Sequence, residues 1–254
     1  MKNATPIHQH IKKAKRNEYL FLLSLRTFGN FLILTSLFFI ARTLYEPVHQ
    51  EVRFMMDKWN NKTYVVATKK EELSFALQKA GDLPGQARQV KKGLLTRTVD
   101  GKTVQVLVPE DPSFSIVIPK IGANARIISG VDSSNERAYS AALKEGVAQA
   151  LGTAFPGEGG HIFLFAHSTD YWWNVSTYNA VFYLLGKLEK GDEIDIFYKG
   201  ERFVYQMVDS KIVDPSEVEY ITRKTNQEFL TLQTCWPLGT TFKRLLVFAT
   251  RVAD

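Results

Sequence analysis

The chain has 254 residues, 45% hydrophobic and 23% charged, with a formal net charge of +6 and a pI near 9.2. That composition supports a folded core of ordinary size and excludes a disordered chain. The charge is concentrated: within the first 26 residues Lys2, Lys12, Lys13, Lys15, Arg16 and Arg26 stand against Glu18 alone. The remainder is close to neutral, which gives a nucleic-acid-binding surface little support.

After the basic tail comes the run YLFLLSLRTFGNFLILTSLFFIA, Tyr19 to Ala41, whose only charge is Arg26. About 20 apolar residues span a hydrocarbon core, so the run predicts one transmembrane helix, with Arg26 snorkelling to the nearer interface. It is longer than the apolar core of a secretory signal, and Ala41–Pro47 offers no small-x-small cleavage site, so an uncleaved anchor is expected. The positive-inside rule keeps the basic end in the cytoplasm and places everything after the helix outside the cell. The expected organisation is a cytoplasmic tail over residues 1–18, a signal anchor over 19–42, an extracellular stalk or accessory region over 43–111 and a catalytic domain over 112–254.

The accessory region reads as helical near Val48–Trp59 and Lys69–Lys79, with a break at Gly81-Asp82-Leu83-Pro84-Gly85. Asp100-Gly101 between alternating β-prone residues predicts a hairpin within Thr96–Val108. Beyond Asp111-Pro112 short strands are expected over Phe114–Pro119, Ala125–Gly130, His161–Ala166, Glu193–Tyr198, Glu201–Val213, Phe229–Cys235 and Arg244–Val252. Short helices are expected over Tyr139–Glu145 and Ala180–Leu188, and turns at Gly191-Asp192 and Lys199-Gly200. So many short strands with few helices predict a mainly β fold, a compact barrel or sandwich.

Cys235 is the sole cysteine, in Thr231-Leu232-Gln233-Thr234-Cys235-Trp236-Pro237-Leu238-Gly239-Thr240-Thr241-Phe242-Lys243-Arg244. A lone cysteine is commonly a small buried hydrophobe, but an exported thiol with no disulfide partner must be buried or used. Use as a nucleophile needs the thiolate, hence a proton acceptor or a neighbouring cation. His8 and His10 lie in the tail and His49 just past the anchor, which leaves His161, at the head of an apolar strand and read as structural, and His167, at that strand's exit. Arg244 opens the strand after Cys235, where its forked donors could hold a peptide carbonyl or an oxyanion.

The Thr231–Cys235 block with Pro237, Gly239-Thr240 and Lys243-Arg244 closely resembles the active-site signature of sortases, cysteine transpeptidases that attach surface proteins to bacterial cell walls. Ile116–Gly122, Leu143–Val147, Gly152–Gly157 and Phe165-Ala166-His167-Ser168 resemble that family's other blocks in the same order. The resemblance spans Phe114 to Val252. It implies an eight-stranded β-barrel with short helices, in which Cys235 attacks a carbonyl within an LPxTG-type C-terminal sorting signal. His167 then serves as acid and base, Arg244 steadies substrate and oxyanion, and Thr234 assists at the substrate and oxyanion site. The implied partners are surface proteins bearing such a signal and an amine acceptor of the cell wall.

Two features depart from the family pattern: Ala166 stands where glycine is frequent, and Asp111-Pro112-Ser113, similar to the lid of pilus-building sortases, lies too close to the first barrel strand to reach the cleft. With no second apolar segment before Asp254, a class D-like or general anchoring enzyme is expected ahead of a pilus sortase. A non-catalytic exported sortase-like binding module is the alternative from another class. An L,D-type cysteine transpeptidase is disfavoured, because no histidine falls in the twenty residues before Cys235. No zinc-type ligand spacing or phosphate loop is present, so no cofactor is expected; calcium, used by some sortases, has no site in the sequence. Tyr171-Trp172-Trp173 and Tyr178 form an aromatic patch that core packing explains as well as a substrate groove does, and choice of sorting signal is assigned to the loop Pro215–Glu228.

Overall fold

The computed structural model describes residues 6–60, 62–66, 94–99, 102–168 and 181–252. The helix expected near Lys69–Lys79, the Gly81–Gly85 break, the Asp100-Gly101 turn and the aromatic patch lie outside the described residues. Two compact units are present, Met1–Gln50 and Glu51–Asp254.

The first unit is helical. The helix α1 spans Pro6–Trp59, so the helices expected over 19–42 and Val48–Trp59 are one. Its stretch Glu18–Arg42, 25 residues, is long and apolar enough to cross a membrane, and its large side chains, among them Phe21, Phe31, Leu34 and Phe38, are exposed. Two of its polar side chains are satisfied within the helix: the hydroxyls of Ser24 and Thr27 donate to the carbonyls of Leu20 and Leu23, each at 2.8 Å. Internal satisfaction of that kind is what a hydrocarbon environment requires.

The second unit is built around a closed barrel of eight strands: β4 (Phe114–Ile118), β5 (Ala123–Val131), β6 (Val147–Ala150), β7 (His161–Phe165), β8 (Glu193–Tyr198), β9 (Glu201–Val213), β10 (Phe229–Trp236) and β11 (Lys243–Arg251). Their order around the barrel is β10-β11-β9-β8-β4-β5-β6-β7. Closure removes every sheet edge, which settles the barrel-or-sandwich alternative. The parallel pairs β5/β6 and β7/β10 mean that β4, β7 and β10 all run toward the same end. Ile116, Ile118, Ile162, Leu164, Ile194, Ile196, Leu230, Leu232 and Val247 fill the interior. The strand β6 was not among the expected ones; all four of its residues are buried, so it shows no alternation to read.

Short helices connect the strands. The helix α2, Glu136–Glu145, starts three residues before its expected start because Asn135 caps it, its Oδ1 accepting from the Ala138 N–H at 3.2 Å. It ends at Gly146, where a Cβ has no room against the Arg126 carbonyl oxygen. Over the described part of the expected helix Ala180–Leu188, residues 181–188, the chain forms turns and a 3₁₀ turn, Leu185–Lys187.

The region between α1 and the barrel holds a second sheet, β1 (Thr63–Val66), β2 (Leu94–Val99) and β3 (Lys102–Leu107), ordered β1-β3-β2. The expected hairpin is β2/β3, paired to its last rung at Val99 and Lys102. Val66 and Leu107 pack on Val117 and Phe197, the outward side chains of β4 and β8, so this sheet covers part of the barrel wall.

Candidate active site

Two chain exits come together at one end of the barrel. The parallel register of β7 and β10 pairs Phe229 with His161 through to Gln233 with Phe165. The ladder continues one step further, with the Ala166 N–H donating to the Gln233 carbonyl at 3.1 Å. His167 and Cys235 therefore each stand two residues beyond the last paired rung, at the same level on neighbouring strands.

Arg244 reaches this place from the other side. In the antiparallel pair β10/β11, Cys235 lies directly opposite Arg244 and Trp236 opposite Lys243. Directly opposed side chains share a face, with Cβ atoms about 5 Å apart. The face is the outer one: Leu230, Leu232, Leu245 and Val247 point into the core, whereas Phe229, Leu246 and Phe248, in phase with Cys235 and Arg244, form a separate cluster under Val213 and Tyr220. Cys235 and His167 are half-buried, open enough to meet a ligand.

Thr234, next to Cys235 and on the opposite face, points inward and is 2% exposed. Its Oγ1 donates to the Ala166 carbonyl at 3.0 Å. That bond ties the residue before Cys235 to the residue before His167, and sequence spacing alone does not reveal it. Arg244 donates through Nη1 to the carbonyls of Thr241 and Lys243, at 3.0 and 3.1 Å, which fixes the guanidinium against its own loop. Lys243 is held by Asp214 at 2.7 Å. Asp214 begins the segment that contains Pro215–Glu228 and its short 3₁₀ turn Val218–Tyr220.

Burial pushes the Cys235 thiol above its ordinary pKa, and the Arg244 charge opposes that push without cancelling it. The resting group is a thiol at neutral pH, so any attack by it requires that its proton be taken up, and His167 stands at the neighbouring strand exit. His161 lies at the far end of β7, 5% exposed, its Nε2 2.8 Å from Thr231 Oγ1. That placement keeps it out of this site, as its reading as a structural residue requires. Asp111 is also remote: its Oδ1 accepts from the Ser113 N–H at 2.8 Å, and Ser113 and Pro112 carbonyls accept from Lys199 and Gly200 at the opposite end of the barrel. Among the described residues no group of three or more His, Cys, Asp or Glu is placed to hold a metal ion.

A family model for the sortase domain matches residues 116–252. Sortase D of Bacillus subtilis (strain 168) is 30% identical over 179 residues, 68% of this chain and 82% of its own. Among solved structures, sortase C-1 of Actinomyces oris is 34% identical with a TM-score of 0.47, covering 57% of this chain and 76% of its own. The Clostridium perfringens Sortase D5 transpeptidase is 25% identical with a TM-score of 0.45, covering 57% of this chain and 81% of its own.

Proposed function

This chain belongs to the sortase family of cysteine transpeptidases, and on that premise we propose that it cleaves an LPxTG-like C-terminal sorting signal and transfers the acyl group to an amine of the cell wall. The observation that carries the reading is the meeting of three groups at one barrel end: His167 and Cys235 at equivalent exits of β7 and β10, and Arg244 opposite Cys235.

The reaction follows from those groups. Cys235 Sγ, its proton passed to His167, adds to the carbonyl of the scissile peptide bond. The resulting oxyanion is stabilised by the Arg244 guanidinium, already fixed in direction by Thr241 and Lys243. His167 gives its proton to the leaving amine, and the C–N bond breaks to leave a thioester. An incoming amine, deprotonated by His167, adds to the thioester carbonyl and expels the Cys235 thiolate, which regains a proton. Water in place of the amine gives slow hydrolysis. The resemblance assigns Thr234 to the substrate and oxyanion site; its inward, 2% exposed side chain supports a different part, holding Ala166, and through it the His167 exit, against β10.

A class D-like or general anchoring role is favoured over pilus assembly. The 30% identity to sortase D supports it, as does Asp111, whose turn is pinned at the barrel end away from Cys235. Residues 19–42 act as the membrane anchor with the basic tail cytoplasmic, residues 43–111 as stalk and accessory sheet, and residues 112–254 as the catalytic domain. The loop Pro215–Glu228, running from the Cys235 end of the barrel to the start of β10, selects the signal.

The test is incubation of the full-length protein in detergent with an LPxTG peptide and an amine. Expected are a Cys235-linked thioester by mass spectrometry, an amide product, and loss of both in Cys235→Ala and His167→Ala. Failure to form a thioester with any member of a broad pentapeptide library would leave the binding-module alternative standing.

A further inference from the structure

Trp236, the residue after Cys235, lays its ring against Gly186. A Cβ on Gly186 would lie 3.1 Å from Trp236 Cζ3 and 3.5 Å from Leu245 Cδ2, so any larger residue forces the indole to move. Gly186 is the middle of the 3₁₀ turn Leu185–Lys187, and Leu185 itself is fully buried in the barrel core.

The other side of that turn is held by α1. Lys187 Nζ lies 3.2 Å from Glu51 Oε2 and 5.9 Å from the centroid of the Phe54 ring. Phe54 packs on the barrel core, and Arg53 between them donates through Nη2 to the Ile121 carbonyl at 3.3 Å. Ile121 closes the 3₁₀ turn Pro119–Ile121 at the exit of β4, which is the same barrel end as the exits of β7 and β10. Lys120 of that turn binds Glu189 and Asp192, at 2.6 and 2.8 Å, just after the Leu185–Lys187 turn. One turn of α1 thus grips both connections beside the site.

We propose that Glu51 and Phe54 are positioning residues for the nucleophile. They brace the Leu185–Lys187 turn, Gly186 backs Trp236, and Trp236 fixes the end of β10 so that Cys235 stays opposite Arg244. The proposal rests on the assignment of Cys235 as nucleophile. The Glu51–Lys187 pair is partly exposed and is worth little as stability; its part is to set where the turn sits, while Phe54 burial supplies the hold. Removing the brace frees the end of β10 and weakens the Arg244 influence on the thiol.

The experiment is alkylation of Cys235 by iodoacetamide in the full-length protein in detergent, followed against pH, with thermal unfolding measured alongside. Gly186→Ala and Phe54→Ala are expected to move the alkylation midpoint up by about half to one pH unit, a rate loss of about three- to tenfold at fixed pH below it. Glu51→Lys is expected to act in the same sense, and Glu51→Lys combined with Lys187→Glu to return the rate to within about twofold of wild type, because the pair is restored with its sign reversed. Phe54→Leu replaces Phe54→Ala if the latter fails to fold. Profiles that stay at the wild-type midpoint while the unfolding temperature falls would show packing only and overturn the proposal, as would a charge swap that restores nothing. Iodoacetamide needs no peptide, so a wild-type protein that alkylates normally yet cleaves no sorting signal defeats the transpeptidase reading and leaves the brace to be judged on its own profile.

Discussion

Cys235 of β10 and Arg244 of β11 are direct partners across an antiparallel pair, and the guanidinium is anchored to carbonyls of its own loop. A fixed cation beside a half-buried thiol lowers the cost of the thiolate, and in the proposed reaction it also meets the later oxyanion. The two are separable by mutation. Arg244→Ala should raise the thiol pKa further, since burial then acts unopposed. The alkylation rate near neutral pH should drop about tenfold for each unit of rise, and peptide cleavage should drop by about 10²- to 10³-fold through loss of the oxyanion donor. Arg244→Lys should recover the alkylation profile and little of the cleavage, because a point charge lacks the fork. Matching alkylation profiles for wild type and Arg244→Ala would remove the electrostatic half of this account.

Thr234 tests how the histidine exit is held. Thr234→Val keeps the shape and deletes the only donor given to the Ala166 carbonyl by this side chain, an expected loss of about 1–3 kcal/mol for an acceptor left buried and unpaired. Cleavage should fall more than stability alone explains, with KM little changed, because the displaced group is the segment leading into His167. Thr234→Ser should retain most of both. A Val variant with wild-type turnover would confine Thr234 to packing.

The reach of the sequence differs from residue to residue. Cys235 and Arg244 are nine positions apart around a Pro/Gly turn, so their pairing is a local matter that alternation and turn chemistry reveal. The meeting of Cys235 with His167 is not local: it depends on a parallel pairing of β7 with β10 that no short-range pattern encodes, and only the family resemblance made it legible. Thr234 was placed at the site by that resemblance, while its bond to Ala166 is a tertiary fact. The strand β6 shows no alternation because it is buried on both faces, and in the stalk or accessory region the turn signal reveals the β2/β3 hairpin but not β1, which joins β3 in parallel across a long separation. The grip of Glu51 and Phe54 on Lys187 joins distant segments and leaves no trace in composition or periodicity.

Two buried ionisable groups outside the site give opposite pH signatures. His161 is held down to about 4, first by burial and then by the Arg223 charge, and its Nδ1 has no hydrogen-bond partner among the described residues. Below the ordinary histidine value of 6.5 the unfolded chain takes up a proton that the folded ring refuses. Stability is therefore lost as pH falls from about 6.5 to about 4, by about 2 kcal/mol once solvent screening around the ring is allowed for. His161→Phe should remove this contribution, so that the variant is no less stable at pH 4.5 than at pH 7 by chemical-denaturant midpoints.

Asp195 pulls the other way. Its carboxyl is fully buried on β8, Oδ1 accepting from Arg202 Nε at 2.7 Å and Oδ2 unpartnered among the described residues. Burial pushes it up to about 7 despite the Arg202 charge. Between about 4 and 7 the folded carboxyl keeps a proton that the unfolded chain releases, so this group's contribution is lost as pH rises through that window. In the wild type the two slopes partly cancel. Asp195→Asn, which still accepts from Arg202 but cannot ionise, should expose the His161 slope, with stability rising from pH 4.5 to 6.5. His161→Phe should expose the Asp195 slope, with stability falling from pH 4.5 to 7. Single variants that both retain the wild-type pH dependence would show that neither group titrates in the folded protein as its surroundings dictate.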